Sequence, residues 1–143
     1  VLTPNGSWSV GNLILERLKP EIIGVGGLCL GAAPIVCATA TVSWVWPRPV
    51  YGFLIRKTAK RYGTCQWIEG TENIPYGAPV CILEDTCTTG ASVLDAISKG
   101  INEGLHVPQV ITVVDRQEGA KERLAAAGYK LEALILKEEL QRS

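Results

Sequence analysis

Glu84 and Asp85 stand side by side in "CILEDTCTTGAS" (81–92), at the end of an apolar run and just before a loop of small residues and hydroxyls. Adjacent carboxylates accept hydrogen bonds from sugar hydroxyls or hold the waters of a metal ion. Thr88, Thr89 and Gly90 fall where a helical pattern begins, so backbone N–H groups, the positive end of a helix dipole and the threonine hydroxyls converge on one spot suited to an anion. The carboxylates would repel a free anion. A sugar phosphate removes the conflict, because its hydroxyls donate to Glu84 and Asp85 while its phosphate accepts from the loop. The same residue types also make a solvated strand end followed by an ordinary threonine helix cap, and spacing alone does not separate the two readings.

Other candidates are less self-evident. Arg56, Lys57, Lys60 and Arg61 concentrate positive charge in one stretch, which on its own is equally a solvated basic loop. Arg116 follows Asp115 at the end of another apolar run, where a structural Asp–Arg pair is the plain alternative. Cys87 lies inside the hydroxyl-rich loop and reads as an inert thiol; the alternative is a redox-sensitive group, since a helix N-terminus lowers a thiol pKa. His106, in "EGLHVPQV", reads as a surface residue at a helix-to-strand turn.

The elements that must position these groups follow from periodicity. A helix capped by Ser7 or Ser9 runs through Val10, Leu13, Ile14 and Leu18 until Pro20. "EIIGVGG" is a short buried strand, and a small-residue helix begins near Ala33, tolerates Pro34 in its first turn and is ended by Pro47 and Pro49. Residues 50–57 are strand-like. The stretch from Thr58 to Pro79 reads as a long loop with a short hairpin around "CQWIEG". A strand over 80–84 leads to a helix from Thr89 to Glu103 with Val93, Leu94, Ile97 and Ile101 on its apolar side. A strand over 109–115, a helix in "GAKERLAAAG" ended by Gly128, and a strand in "KLEALI" precede a short polar end. Trp44 and Trp46 either pack a helix end or mark a subunit or partner surface. Strands apolar throughout that alternate with helices predict an open α/β sheet, mostly parallel and flanked by helices on both faces.

Composition bounds the function. At 143 residues and 47% hydrophobic, the chain predicts a single domain over 1–143. Lys plus Arg and Asp plus Glu number 14 each, so there is no global basic excess of the kind that binds nucleic acid, and any anion site must be local. Five cysteines without a CxxC pair, and one histidine, fit neither a zinc site nor a disulfide framework, and predict reduced thiols in the cytoplasm. No apolar run is long enough to span a membrane.

Four segments in order carry a family resemblance: "GVGGLCLGAAPIV", "FLIRKTAKRYGTCQWIEG", "CILEDTCTTGAS" and "VVDRQEGAKERLAAAGYKLEALI". The third resembles the phosphoribosyl pyrophosphate motif of type I phosphoribosyltransferases, and the other three are similar to the glycine-rich, catalytic-loop and DRQEG segments of orotate phosphoribosyltransferases. The resemblance implies the type I phosphoribosyltransferase fold and transfer of a phosphoribosyl group from 5-phosphoribosyl 1-diphosphate to orotate. Glu84 and Asp85 would face the ribose hydroxyls and, with Lys60, act catalytically. Thr86, Cys87, Thr88, Thr89, Gly90, Ala91 and Ser92 would form the phosphate loop. Arg56, Lys57, Lys60 and Tyr62 would bind the diphosphate, and Thr88 and Arg116 would contact orotate. No protein-held metal is expected; Mg2+ would bridge the diphosphate and ribose oxygens. A homodimer with shared active sites is implied, with no nucleic-acid or membrane partner.

Tyr62 stands where the family usually has histidine and Ala33 where it often has aspartate, and nothing before "VLTPNG" supplies the family's N-terminal hood. Either the sequence is truncated ahead of Val1 or the chain has shed part of its substrate site; the transferase is the expected function, and these departures support the alternative, a catalytically impaired relative that serves as a binding, regulatory or assembly subunit.

Overall fold

The computed structural model describes residues 2–58 and 67–142. Its elements in chain order are α1 (Pro4–Arg17), β1 (Gly24–Leu28), α2 (Ala33–Ser43), β2 (Tyr51–Ile55), β3 (Ile68–Glu69), β4 (Pro79–Cys87), α3 (Ala91–Asn102), β5 (His106–Asp115), α4 (Ala120–Ala126), β6 (Leu131–Leu136) and α5 (Lys137–Gln141). The sheet order is β3-β2-β1-β4-β5-β6. All neighbours are parallel except β3, which returns antiparallel to β2 through the pairs Leu54–Glu69 and Ile55–Ile68. The expected mostly parallel α/β sheet is therefore present; of the hairpin expected around "CQWIEG", Ile68–Glu69 form a strand that pairs with β2, and Cys65 and Gln66 lie outside the described residues.

Strand periodicity sorts the core onto two faces. Along β4, Cys81 and Leu83 join the layer under α1 and α2, whereas Val80 and Ile82 join the layer under α3 and α4. The chain steps from β1 outward to β2 and β3, then returns to place β4 on the other side of β1. Strand order reverses between β1 and β4, and such a reversal opens a crevice beyond the carboxyl ends of the two strands. Gly27 keeps the two strands close there: a Cβ at this position would lie 2.3 Å from the Leu83 carbonyl oxygen and 2.5 Å from the Ala32 Cβ.

Boundaries differ from the sequence reading in instructive places. Thr3, not Ser7 or Ser9, caps α1, its Oγ1 accepting from the Gly6 N–H at 3.1 Å while Pro4 starts the first turn. The apolar period begins only at Val10, so the polar first turns left no pattern to read. β4 runs past Glu84 to Cys87, and β5 begins at His106, because parallel pairing from Pro79–His106 to Cys87–Asp115 extends both strands beyond their apolar centres. His106 is thus the exposed first residue of a strand rather than part of a turn. Ile101 is exposed instead of sharing the apolar side of α3. Trp46 packs against the α1/α2 layer and donates its indole N–H to Asn12, while Trp44 is 80% exposed. Among the described residues no helix is long and apolar enough to cross a membrane.

Candidate functional site

The crevice between β1 and β4 holds most of the residues singled out above. Because Glu84 and Asp85 lie inside a strand, their side chains point to opposite faces. Glu84 and residues 86–93 line a cradle of about 30 Å³. Asp85 instead borders an adjoining cavity of about 450 Å³ shared with Leu30, Gly31, Pro34 and Ile35. The expectation that both carboxylates sit one step behind the loop on a strand end is corrected: they split between two neighbouring compartments.

Glu84 is half-buried, and burial is the main reason its carboxyl titrates above the usual glutamate range. The Asp85 N–H, which donates to Glu84 Oε1 at 3.0 Å, pulls the other way; the Asp85 charge raises it further and the Lys57 ammonium lowers it. A carboxylate so placed gains from any additional donor.

The cradle itself is backbone. Gly90 occupies the cap of α3 with φ of 88°, and having no side chain it makes no side-chain cap bond to the first-turn N–H groups beside the cavity. Thr89 Oγ1 accepts from the Ala91 N–H at 3.4 Å, so the threonine cap exists in a long form beside the glycine turn. The helix starts at Ala91, later than the expected Thr89, because the left-handed Gly90 breaks the helical path. Cys87 is only 2% exposed, its side chain inside the α3/α4 core. Burial first, then the charges of Glu84 and Asp115, push its thiol up to about 11, so the reactive-thiol reading is overturned and Cys87 offers the cradle only its backbone.

Arg116 adjoins this loop through the backbone, its N–H donating to the Cys87 carbonyl at 2.9 Å. Asp115, buried, accepts from the Gln117 N–H at 2.8 Å and so shapes the turn, in which Gln117 adopts a φ of 59°. The guanidinium of Arg116 lies 3.5 Å from Glu118, not paired to Asp115 as the structural alternative had it.

On the other side of the crevice, β2 delivers Arg56 and Lys57. Arg56 Nε and Nη2 donate to Glu69 Oε1 at 3.1 and 2.8 Å, and its N–H donates to the Trp67 carbonyl. Lys60 and Tyr62 lie outside the described residues. The partners of this loop stem, Glu69 and, on α3, Lys99, were not picked out from the sequence: Glu69 was visible in "IEG", whereas Lys99 carried no signal beyond an i,i+4 spacing to Asp95.

Among the described residues no group of three or more His, Cys, Asp or Glu side chains could hold a metal. One carboxylate in each of two adjoining compartments suits a hard cation that keeps its waters and arrives on a phosphate ligand.

No protein-family model matches the chain. It is 42% identical over 140 residues to the orotate phosphoribosyltransferase of a Nostoc species, covering 98% of this chain and 68% of that one. Against the Synechocystis enzyme of the same name the identity is 41%, covering 98% and 70%. Among solved structures, orotate phosphoribosyltransferase of Mycobacterium tuberculosis in complex with 5-phospho-α-D-ribosyl 1-diphosphate superposes with a TM-score of 0.84 at 35% identity, covering 97% of this chain and 78% of that one. A phosphoribosyltransferase from Corynebacterium diphtheriae gives a TM-score of 0.84 at 34% identity, covering 98% and 80%.

Proposed function

This chain belongs to the orotate phosphoribosyltransferase family, and from that premise we propose how its residues carry the transfer of phosphoribosyl from 5-phosphoribosyl 1-diphosphate to orotate, yielding orotidine 5′-phosphate and diphosphate in pyrimidine synthesis. The observation that carries the assignment is the glycine-capped cradle of residues 86–93, contiguous with Glu84, at the point where strand order reverses.

The 5-phosphate accepts from backbone N–H groups at the start of α3 and from the hydroxyls of Thr88, Thr89 and Ser92, with Thr86 at the rim. Gly90 and Ala91 keep that approach free of side chains. Glu84 takes a ribose hydroxyl, replacing part of the solvation that burial removed. Asp85 faces the apolar compartment beside Leu30 and orients the far side of the sugar. As the bond from the anomeric carbon to diphosphate breaks, positive charge grows on the sugar and negative charge on the leaving group. Arg56 and Lys57, joined by Lys60, neutralise the latter while the Tyr62 hydroxyl donates to it; in this state Glu69 holds the Arg56 guanidinium and diphosphate must compete for it. Arg116 and Thr88 meet the planar orotate, where a forked guanidinium matches a carboxylate or imide edge.

Mg2+ would be held by the substrate's own oxygens with Glu84 and Asp85 beside its waters, supplying charge neutralisation to the diphosphate. The 143 residues act as one phosphoribosyltransferase domain. Exposed Trp44 and Val45 support a second copy of the chain as partner, and the unpaired state of all the described cysteines supports a cytoplasmic setting. The reading as a binding or assembly subunit draws less support, since the cradle and the arginine stem are both in place.

The test is orotate consumption with phosphoribosyl pyrophosphate and Mg2+, in wild type and in Asp85→Asn. Wild type should consume orotate, and the variant, deprived of a charged hydrogen-bond acceptor, should lose roughly 10–100-fold in kcat/KM with its fold intact. No consumption by wild type, or equal rates in both, would refute the assignment.

A further inference from the structure

One ammonium group ties the two halves of this crevice together. Lys99 sits on α3 about two turns past the phosphate cradle. Its Nζ donates to the Arg56 carbonyl at 3.0 Å and to the Lys57 carbonyl at 3.1 Å, and lies 2.9 Å from Asp95 Oδ2. Those three acceptors use all three donors an ammonium has. The same Nζ stands 4.3 Å from the centroid of the Trp67 ring. Lys99 therefore touches the strand residues that leave the sheet and the residue that re-enters it, across a sequence separation that makes the contact purely tertiary.

The arrangement is more than stabilising decoration. The Lys99 side chain is 13% exposed, and a charge withdrawn that far from water is tolerated only where its donors are all engaged. The groups it engages are carbonyls of the very residues whose side chains serve the diphosphate. Fixing both carbonyls sets the path of the backbone at 56–57, and with it the direction in which the Arg56 and Lys57 side chains leave the stem. Arg56 is restrained a second time by Glu69 and by its N–H bond to Trp67.

We propose that Lys99 is a positioning residue for the leaving group: by holding the Arg56 and Lys57 carbonyls and the Trp67 ring against α3, it aims the diphosphate-binding side chains at a sugar phosphate seated on the same helix. The inference rests on the transferase reading and adds to it a residue that touches no substrate.

The experiment uses the full chain, Mg2+, and two probes titrated calorimetrically, inorganic pyrophosphate and ribose 5-phosphate, with circular dichroism to show that each variant is folded. Lys99→Met keeps the alkyl stem beside Trp67 and removes the charge. It should weaken pyrophosphate at least fivefold, leave ribose 5-phosphate within twofold, and lower kcat/KM for phosphoribosyl pyrophosphate by the factor lost in pyrophosphate binding. Lys99→Arg, which restores a cation and several donors, should recover most of that loss. Unchanged pyrophosphate affinity in Lys99→Met overturns the proposal; so does an equal loss for both probes, which is what a merely structural lysine would give. Should Lys99→Met not fold, the arginine variant and Trp67→Leu decide, and normal pyrophosphate affinity in Trp67→Leu together with loss in neither variant overturns it. A wild-type chain that binds neither probe takes down the transferase reading and this inference with it, a result distinct from the selective outcomes above.

Discussion

Gly90→Ala tests whether the cradle depends on backbone geometry rather than on its hydroxyls. Gly90 has a φ of 88°, and an added Cβ would stand 2.8 Å from Leu124 Cδ1 and 3.2 Å from the Ala120 Cα. The left-handed conformation costs an L-residue about 1–2 kcal/mol. Leu124 is fully buried, so its methyl cannot swing away into solvent, and overpacking of this kind costs about 1–3 kcal/mol. The variant should therefore lose roughly 2–5 kcal/mol, a large part of the ~5–15 kcal/mol that holds a domain together. Any relief obtained by shifting the loop moves the N–H groups proposed to meet the phosphate, so ribose 5-phosphate affinity should fall by about tenfold, or ~1.4 kcal/mol. Urea unfolding gives the first quantity and calorimetry the second. Adding Leu124→Val removes the contacting methyl, and the double variant should recover about 1 kcal/mol through coupling between the two sites while the conformational cost stays. A stability change under ~0.5 kcal/mol with unaltered phosphate affinity would show that Gly90 does not hold a left-handed turn against Leu124, since both contributions to the penalty would be missing.

Two further outcomes follow from the titration of buried groups. For Glu84, a raised folded pKa means that the native state holds its proton more tightly than the unfolded chain does, so stability falls as pH rises from the ordinary glutamate range through the raised value and is flat above it. Glu84→Gln keeps an oxygen for the Asp85 N–H without the buried charge; its urea midpoint should exceed wild type at pH 7 and match it at pH 4, while kcat/KM drops by roughly 10–100-fold. Equal midpoints at neutral pH would mean that burial does not penalise the carboxylate. Among the described cysteines, maleimide at pH 8 should modify exposed Cys37 quickly and spare Cys81 and Cys87, both buried with thiols pushed up, until the chain unfolds; rapid native-state labelling of Cys87 would contradict its placement in the core.

What the sequence made legible was whatever depends on local pattern. Continuous apolar strands separated by helical periods are enough to require a parallel sheet covered on both faces, whereas a TTG step before a helix fits an anion cradle and an ordinary threonine cap alike. The order β3-β2-β1-β4-β5-β6 was not legible, because nothing in residues 24–28 or 79–87 states which strands become neighbours; Gly27 shows its meaning only once Leu83 lies against it. The loop stem was half legible for the same reason. Arg56 and Lys57 announce themselves by charge, whereas the Lys99 contacts that hold their carbonyls join segments about forty residues apart.

The acidic pair shows how a boundary error of a few residues becomes a chemical one. Placed beyond the end of a strand, two neighbouring carboxylates could turn to the same ligand. Inside a strand they reach a shared ligand only from opposite sides, because alternation sends successive side chains to opposite faces. Pairing of Thr86 with Val114 and of Cys87 with Asp115 carries β4 past both acids, so Glu84 is committed to the phosphate cradle and Asp85 to the apolar compartment next to Leu30. Alternation ends at Cys87, whose side chain joins the α3/α4 core rather than the α1/α2 layer of Cys81 and Leu83, while Thr86 is exposed. The carboxylates are therefore not interchangeable: their conservative variants should differ in kind, Glu84→Gln acting on sugar phosphate binding and on stability through its buried charge, Asp85→Asn acting on turnover with little change in stability. Were the two variants to behave alike in both respects, the strand would have to end before Glu84, as the apolar run by itself suggests.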